Sequence, residues 1–80
     1  IRPVPFRSWF VIEVKSDKQA LYNISVYDLV GNRVAKRMVN IASGTNTIWF
    51  DHEVENLASG YYFVEVTGPA FTQRNKILKQ

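Results

Sequence analysis

The stretch at residues 56–68, NLASGYYFVEVTG, decides the fold that this sequence predicts. Its second half alternates, with Tyr62, Val64 and Val66 on one side, which is typical of a half-buried β-strand. Tyr62 stands at the start of that strand, four residues after Ala58. A tyrosine at this place can donate its hydroxyl to a backbone carbonyl slightly upstream, the tyrosine corner of Greek-key β-sandwiches. We therefore expect a loop that is fastened onto a strand of a β-sandwich.

Alternation with a period of two extends through most of the remaining chain. It is clear at residues 8–16, 21–28 and 45–51, and less regular at residues 33–40 and 71–79, which suits strands at sheet edges. Turn residues separate these segments, and a short first segment precedes them. The sequence therefore predicts an all-β chain, an immunoglobulin-like antiparallel β-sandwich of about seven short strands with Greek-key connections and no helix.

The length and composition indicate one small domain, residues 1–80. A chain of this size buries only about 60% of its unfolded surface, so the core should be thin. Because cysteine is absent, disulfides, thiol nucleophiles and thiolate metal sites are excluded. The chain starts at Ile1 rather than Met, and neither a signal peptide nor an apolar run of about 18 residues is recognisable. We interpret it as a domain excised from a longer protein.

The charges are segregated along the chain, with a formal net charge of +3. This distribution could steer an anionic partner toward the basic groups, but solvated strand faces and charge-protected edges are the interpretation that we favour. Nucleic acid is not expected, because exposed aromatic residues do not interleave with the basic groups along the sequence. The two basic groups are Arg33, Lys36 and Arg37, and Arg74, Lys76 and Lys79, while the acidic span holds Asp51, Glu53, Glu55 and Glu65.

A tight hairpin turn is predicted in the segment VYDLVGNRV, residues 26–34. Gly31 can take the positive φ that such a turn requires, and the Asp28 carboxylate can accept hydrogen bonds from nearby backbone N–H groups. We expect both residues to be structural.

Two further sets of residues suggest alternative sites. His52, in the acidic segment DHEVE, would suit a metal or acid–base site, but no second histidine or nucleophile–base pair supports it. We therefore expect no enzyme activity, catalytic residue, metal or cofactor. Trp9 and Trp49 stand opposite the clearer apolar faces of their strands, where they could stack on sugars or simply cover a sheet edge.

Five motifs occur together and in order along the whole chain. They are PVPF, VYDLVGNRV, GTN, LASGYYFVEV and the terminal KILKQ, with the key positions Pro3, Pro5, Phe6, Asp28, Gly31, Val34, Gly44, Leu57, Gly60, Tyr62 and Val64. In this combination the chain resembles the C-terminal sorting domain (type A) of substrates of the type IX secretion system. It departs from the usual Pro-Asn-Pro of that family at Val4.

The resemblance implies a non-catalytic secretion signal that directs its cargo protein across the outer membrane. Its partners would be the type IX translocon and a surface peptidase that removes the domain and attaches the cargo to anionic lipopolysaccharide. The cargo would cross the periplasm and end at the cell surface or outside the cell. A carbohydrate-binding or adhesive module, or an inert spacer domain, would be the alternative.

The tail QRNKILKQ, residues 73–80, carries the functional prediction. Either Ile77 or Leu78 should be buried and the other outward, because neighbouring strand residues point to opposite faces. Lys76 and Lys79 would add exposed charge, for recognition by strand addition or by an acidic groove. The predicted recognition signal is Lys76, Ile77, Leu78, Lys79 and Gln80, and the alternative is that the tail only completes the sandwich.

Overall fold

Two antiparallel β-sheets form the computed structural model, which describes residues 1–2, 5–69 and 72–80. The motif residue Pro3, and Val4 beside it, lie outside the described residues. The strands are β1 (Phe10–Ser16), β2 (Ala20–Asp28), β3 (Arg33–Ile41), β4 (Gly44–Phe50), β5 (Gly60–Thr67) and β6 (Thr72–Lys79). The described part of the chain contains no helix, and therefore none long and apolar enough to cross a membrane.

The larger sheet has the strand order β3-β2-β5-β6, and the smaller sheet pairs β1 with β4. The chain crosses from the larger sheet to the smaller one between β3 and β4, and it returns to the larger sheet at β5, which pairs with β2. Such crossings between sheets are what a sandwich requires. The predicted all-β sandwich is confirmed, and so is the placement of β3 and β6 at sheet edges. The described residues form six strands, against about seven predicted, because those of the first segment contribute isolated bridges, Arg2 to Val11 and Phe6 to Lys79.

The core lies between the sheets and is built around phenylalanines. The rings of Phe10 and Phe50 are stacked with centroids 5.3 Å apart, and Phe6 meets Phe10 edge-on at 5.0 Å. Ile24 and Val64 of the larger sheet pack against this cluster and are completely buried. Every second residue of a strand faces the core, so the apolar residues that recur with a period of two are the buried ones.

The loop between β4 and β5 closes one end of the core. Val54 is completely buried, and its N–H donates to the carbonyl of Asp51 at 3.1 Å. At the end of the loop the Tyr62 hydroxyl donates to the carbonyl of Ala58 at 2.6 Å, so the predicted tyrosine-corner hydrogen bond is present. Loop and strand β5 are thus joined both by a buried valine and by a hydrogen bond.

The β2–β3 turn has the predicted construction. Gly31 has a φ of +97°, and the Asp28 carboxylate accepts hydrogen bonds from the N–H groups of Asn32 at 2.8 Å and Val30 at 3.0 Å. The bond from Asn32 is the main reason that the pKa of Asp28 lies below its usual value. The remaining motif residues are placed as follows: Phe6 and Val64 are buried, Val34 and Leu57 pack against the core, Gly44 and Gly60 begin strands, and Pro5 is exposed.

Candidate functional site

The tail forms β6, an edge strand that pairs with β5 over its whole length. Ile77 is buried, whereas Leu78 is half-buried on the opposite, outward face, as predicted for neighbouring strand residues. The other edge of β6 is partly covered, because Phe6 donates its N–H to the carbonyl of Leu78 and accepts from the N–H of Gln80, both at 2.9 Å. The predicted signal is therefore a paired strand.

Lys79 differs from its sequence-based prediction. Its residue exposure is only 6%, and the ammonium group donates hydrogen bonds to the carbonyl oxygens of Arg7 and, at 3.2 Å, of Glu55. It also lies 5.8 Å from the centre of the Phe6 ring. The expectation that Lys79 presents surface charge is wrong, because it is two residues from Ile77 and shares its inward face. Lys79 joins the first segment, the β4–β5 loop and the last strand.

Arg37 behaves in the same way on β3. Its guanidinium donates to the Glu53 carboxylate and to the carbonyl of Trp49, the latter at 2.6 Å, and lies 4.4 Å from the centre of the Phe50 ring. Partial burial alone would raise the pKa of Glu53, but hydrogen bonds, mainly from Arg37, and the charge of Arg37 hold that pKa below its usual value. Arg37 is paired with buried Ile24 and therefore faces inward, and the pairing register that causes this is a property of the folded sheet.

Lys76 points outward instead. Its ammonium nitrogen is 4.3 Å from the centre of the Tyr61 ring, and its cross-strand partner is Phe63. Two positions earlier, the guanidinium of Arg74 lies 5.5 Å from the ring centre of Phe63 and 6.0 Å from that of Tyr27. The outer face of the larger sheet thus combines cations with aromatic rings.

The closeness of cations and aromatic rings on this face is not visible in the sequence. The basic groups are separate from the aromatic residues along the chain, yet the register of the sheet places Lys76 beside Phe63 and Arg33 beside Tyr27. Cations and aromatic rings are neighbours on adjacent strands, and the order of residues along the chain does not show this. The separation of cations from aromatic rings along the sequence is therefore not kept in the folded sheet.

The acidic loop does not form a metal cluster in the described part of the chain. The His52 side chain is 87% exposed, and its Nδ1 is 3.6 Å from the Glu55 carboxylate. An exposed pair of this kind has too few converging ligands for a zinc site. His52 and Glu55 thus lie on a solvent-exposed loop.

Trp9 and Trp49 lie together on the outer face of the smaller sheet. Their ring centroids are 5.0 Å apart at an interplanar angle of 39°, and the residues are 42% and 54% exposed. Buried Val11, the cross-strand partner of Trp49, lines the same shallow groove, and so do Arg2 and Thr47. The two rings therefore cover Val11 and also present apolar surface to solvent, so both functions considered for them are compatible with the geometry.

Comparison with known proteins gives one family. The family model described as the secretion system C-terminal sorting domain matches residues 1–80, the whole chain. No curated protein matched the chain.

Proposed function

The chain belongs to the family of secretion system C-terminal sorting domains, the sorting signals of type IX secretion, and from this premise we propose that it directs an attached cargo protein across the outer membrane. The observation that carries the proposal is the family match over all 80 residues. The domain would act without catalysis, as one module of a longer exported protein. Export to the cell surface or the medium is what the family implies.

We extend the proposal to the route and fate of the cargo. The cargo crosses the periplasm, the type IX translocon takes it through the outer membrane, and a surface peptidase removes the domain. The cargo is then joined to anionic lipopolysaccharide. These steps rest on the resemblance of the five motifs to the family.

The proposed signal residues divide by the direction of their side chains. Lys76 and Gln80 are exposed and Leu78 is half-buried on the outward face, so they are available for recognition. Ile77 and Lys79 point into the sandwich and hold the strand in place. Consequently Lys79→Glu would set a carboxylate against backbone carbonyl oxygens, and its effect on export would report folding rather than recognition.

A fusion experiment tests the proposal. Residues 1–80 are attached behind a periplasmic reporter in a bacterium with a type IX system and in the same strain without it. We expect the reporter at the surface or in the medium only when both the domain and the system are present. A folded fusion that stays in the periplasm of the competent strain would contradict the proposal.

Recognition by the tail is tested by the double variant Lys76→Glu, Leu78→Ser in the same fusion. It should fold, because both side chains lie outside the core, and export should fall at least about tenfold. Normal export of the folded variant would show that these two side chains are not part of the signal.

A second candidate function is supported by the exposed pair of Trp9 and Trp49. Flat indole rings beside polar side chains are suited to stacking on sugar rings, so the domain would act as a carbohydrate-binding module. Glycan arrays with the wild type, Trp9→Ala and Trp49→Ala test this function. Equal signals for the wild type and both variants would eliminate it.

A further inference from the structure

The outer face of the larger sheet carries cations on both of its edge strands. Across the strands β3, β2, β5 and β6 one row contains Arg33, Tyr27, Phe63 and Lys76, and the neighbouring row contains Lys36, Ser25, Glu65 and Arg74. We propose that this whole face, and not the terminal strand alone, docks onto a carboxylate-rich protein surface of the export machinery. The inference rests on the proposed sorting function and extends the signal to β3, about 40 residues before the tail.

The two basic groups of the sequence merge on this face. Each group sends one cation inward, Arg37 or Lys79, and its other two outward to the same side of the sheet. Within the described strands the face therefore carries Arg33, Lys36, Arg74 and Lys76 against the single carboxylate of Glu65.

The resulting charge of the face is +3, which equals the formal net charge of the whole chain. The six cations and six carboxylates elsewhere in the sequence cancel one another. The positive potential of the domain is thus concentrated on one side, where it can steer and orient an acidic partner.

The exposed apolar residues of the face favour a protein as the partner. Tyr61 is 46% exposed and carries Lys76 over its ring, and Met38 and Leu21 add exposed apolar surface on the same side. Tyrosine, methionine and arginine are enriched in the cores of protein interfaces, whereas charge alone suffices to bind a polyanion. The Arg74 guanidinium, held over aromatic rings and 3.1 Å from Glu65, is already oriented before docking.

A second copy of the chain is not the partner that this face selects. Two such faces brought together would oppose their positive charges, with a net +3 on each side. Like charges in juxtaposition disfavour association, so the complementary surface must be acidic.

Charge reversal on β3 tests the inference without touching the tail. The variant Arg33→Glu, Lys36→Glu is compared with Lys15→Glu, Lys18→Glu, which makes the same change in net charge at exposed positions away from the face. Both are placed in the reporter fusion, and circular dichroism and thermal melting verify that they fold. We expect export of the β3 variant to fall at least about tenfold and that of the control variant to stay within about twofold of the wild type.

The outcomes separate this inference from the proposed function. If the wild-type fusion is not exported, the proposed sorting function is contradicted, and so is the docking face, which rests on it. If the wild type and both variants are exported equally, the sorting function stands and the docking face is overturned.

The class of partner is tested by a photo-cross-linking residue placed at Met38 in the exported fusion. We expect a protein adduct, with the cross-linked peptide inside a cluster of Asp and Glu, that is retained in the Lys15→Glu, Lys18→Glu background and lost in the Arg33→Glu, Lys36→Glu background. Adducts to polysaccharide or lipid only, or an adduct that does not depend on Arg33 and Lys36, would overturn the proposed partner.

Discussion

At the scale of single residues, the inward-pointing polar side chains fix the β4–β5 loop. Lys79 donates to the carbonyl of Glu55, Arg37 binds the carboxylate of Glu53, and Tyr62 donates to the carbonyl of Ala58. Polar groups inside a protein are tolerated when their hydrogen bonds are satisfied. The loop is thus held by three different donors, one from each of β6, β3 and β5.

The first prediction at this scale concerns Tyr62. Replacing it by Phe leaves the carbonyl of Ala58 without its donor, and we expect the free energy of unfolding to fall by about 1–3 kcal/mol. Tyr61→Phe, at the exposed neighbouring position, is the control and should change stability by less than about 0.5 kcal/mol. Urea denaturation measures both, and an equal effect of the two substitutions would contradict a stabilising tyrosine corner.

The second prediction concerns pH and Glu53. Its folded-state pKa is lowered, so ionised Glu53 contributes stability that is complete above its unfolded-state pKa of about 4.3 and is lost as the pH falls through the folded-state pKa. The side chains of Arg37 and Glu53 are 33% and 30% exposed, so we expect only about 1 kcal/mol for Glu53→Gln at pH 7.

Denaturation curves at several pH values test this dependence. The difference between the wild type and Glu53→Gln should shrink as the pH falls below about 4. A difference that is constant from pH 7 to pH 3 would refute the ionic contribution.

At the scale of elements, the alternating pattern explains the strands and their edges but not the pairing of distant strands. The irregular segments became the edge strands β3 and β6, because a strand with one neighbour needs less continuous apolar surface. The grouping of β1 with β4 depends on crossovers that no local pattern encodes.

As with the fold, the sequence predicts part of the candidate site, namely the direction of side chains along one strand, but not which strands lie side by side. The opposite facing of Ile77 and Leu78 follows from alternation, and the same rule applied to Lys79 would have placed it inside. The union of cations from β3 and β6 on one face required the register of four strands, which is a property of the folded sheet.

The prediction at this scale concerns the β2–β3 turn. Gly31 has a φ of +97°, which a β-branched residue adopts only with strain, so Gly31→Val should destabilise by more than about 1 kcal/mol. Gly31→Asn should cost less, because asparagine tolerates positive φ better. Apart from Gly31 itself and its two chain neighbours, no residue has an atom within 4 Å of the position of a new Cβ, so steric clashes with other residues do not contribute to the difference between Val and Asn. Thermal melting with equal losses for Val and Asn would argue against a conformational cause.

At the scale of the whole molecule, the two ends of the chain are joined. Phe6 bridges β6 in parallel through hydrogen bonds with Leu78 and Gln80, and its ring is buried in the core close to the Lys79 ammonium group. Residues 5–7 and 78–80 therefore depend on each other for their placement.

The prediction at this scale compares truncation with substitution. Removing residues 76–80 takes away buried Ile77 and Lys79 and the partner of Phe6, so we expect the domain to lose its cooperative thermal transition. Lys76→Glu, which changes one exposed side chain, should keep a transition within a few degrees of the wild type. A truncated domain that still melts cooperatively near the wild-type temperature would show that the joined ends are dispensable.

The joining of Phe6 to the last residues has a further consequence for biosynthesis. Strand β6 can dock only after the ribosome has translated residues 72–80, and without it Arg74 and Lys76 are not brought beside Phe63 and Tyr61. A receptor that reads this arrangement would therefore accept only chains in which the whole domain has been translated and has folded. Chains that terminate within the domain would be rejected before export, so recognition of the folded face would also verify that the domain is complete.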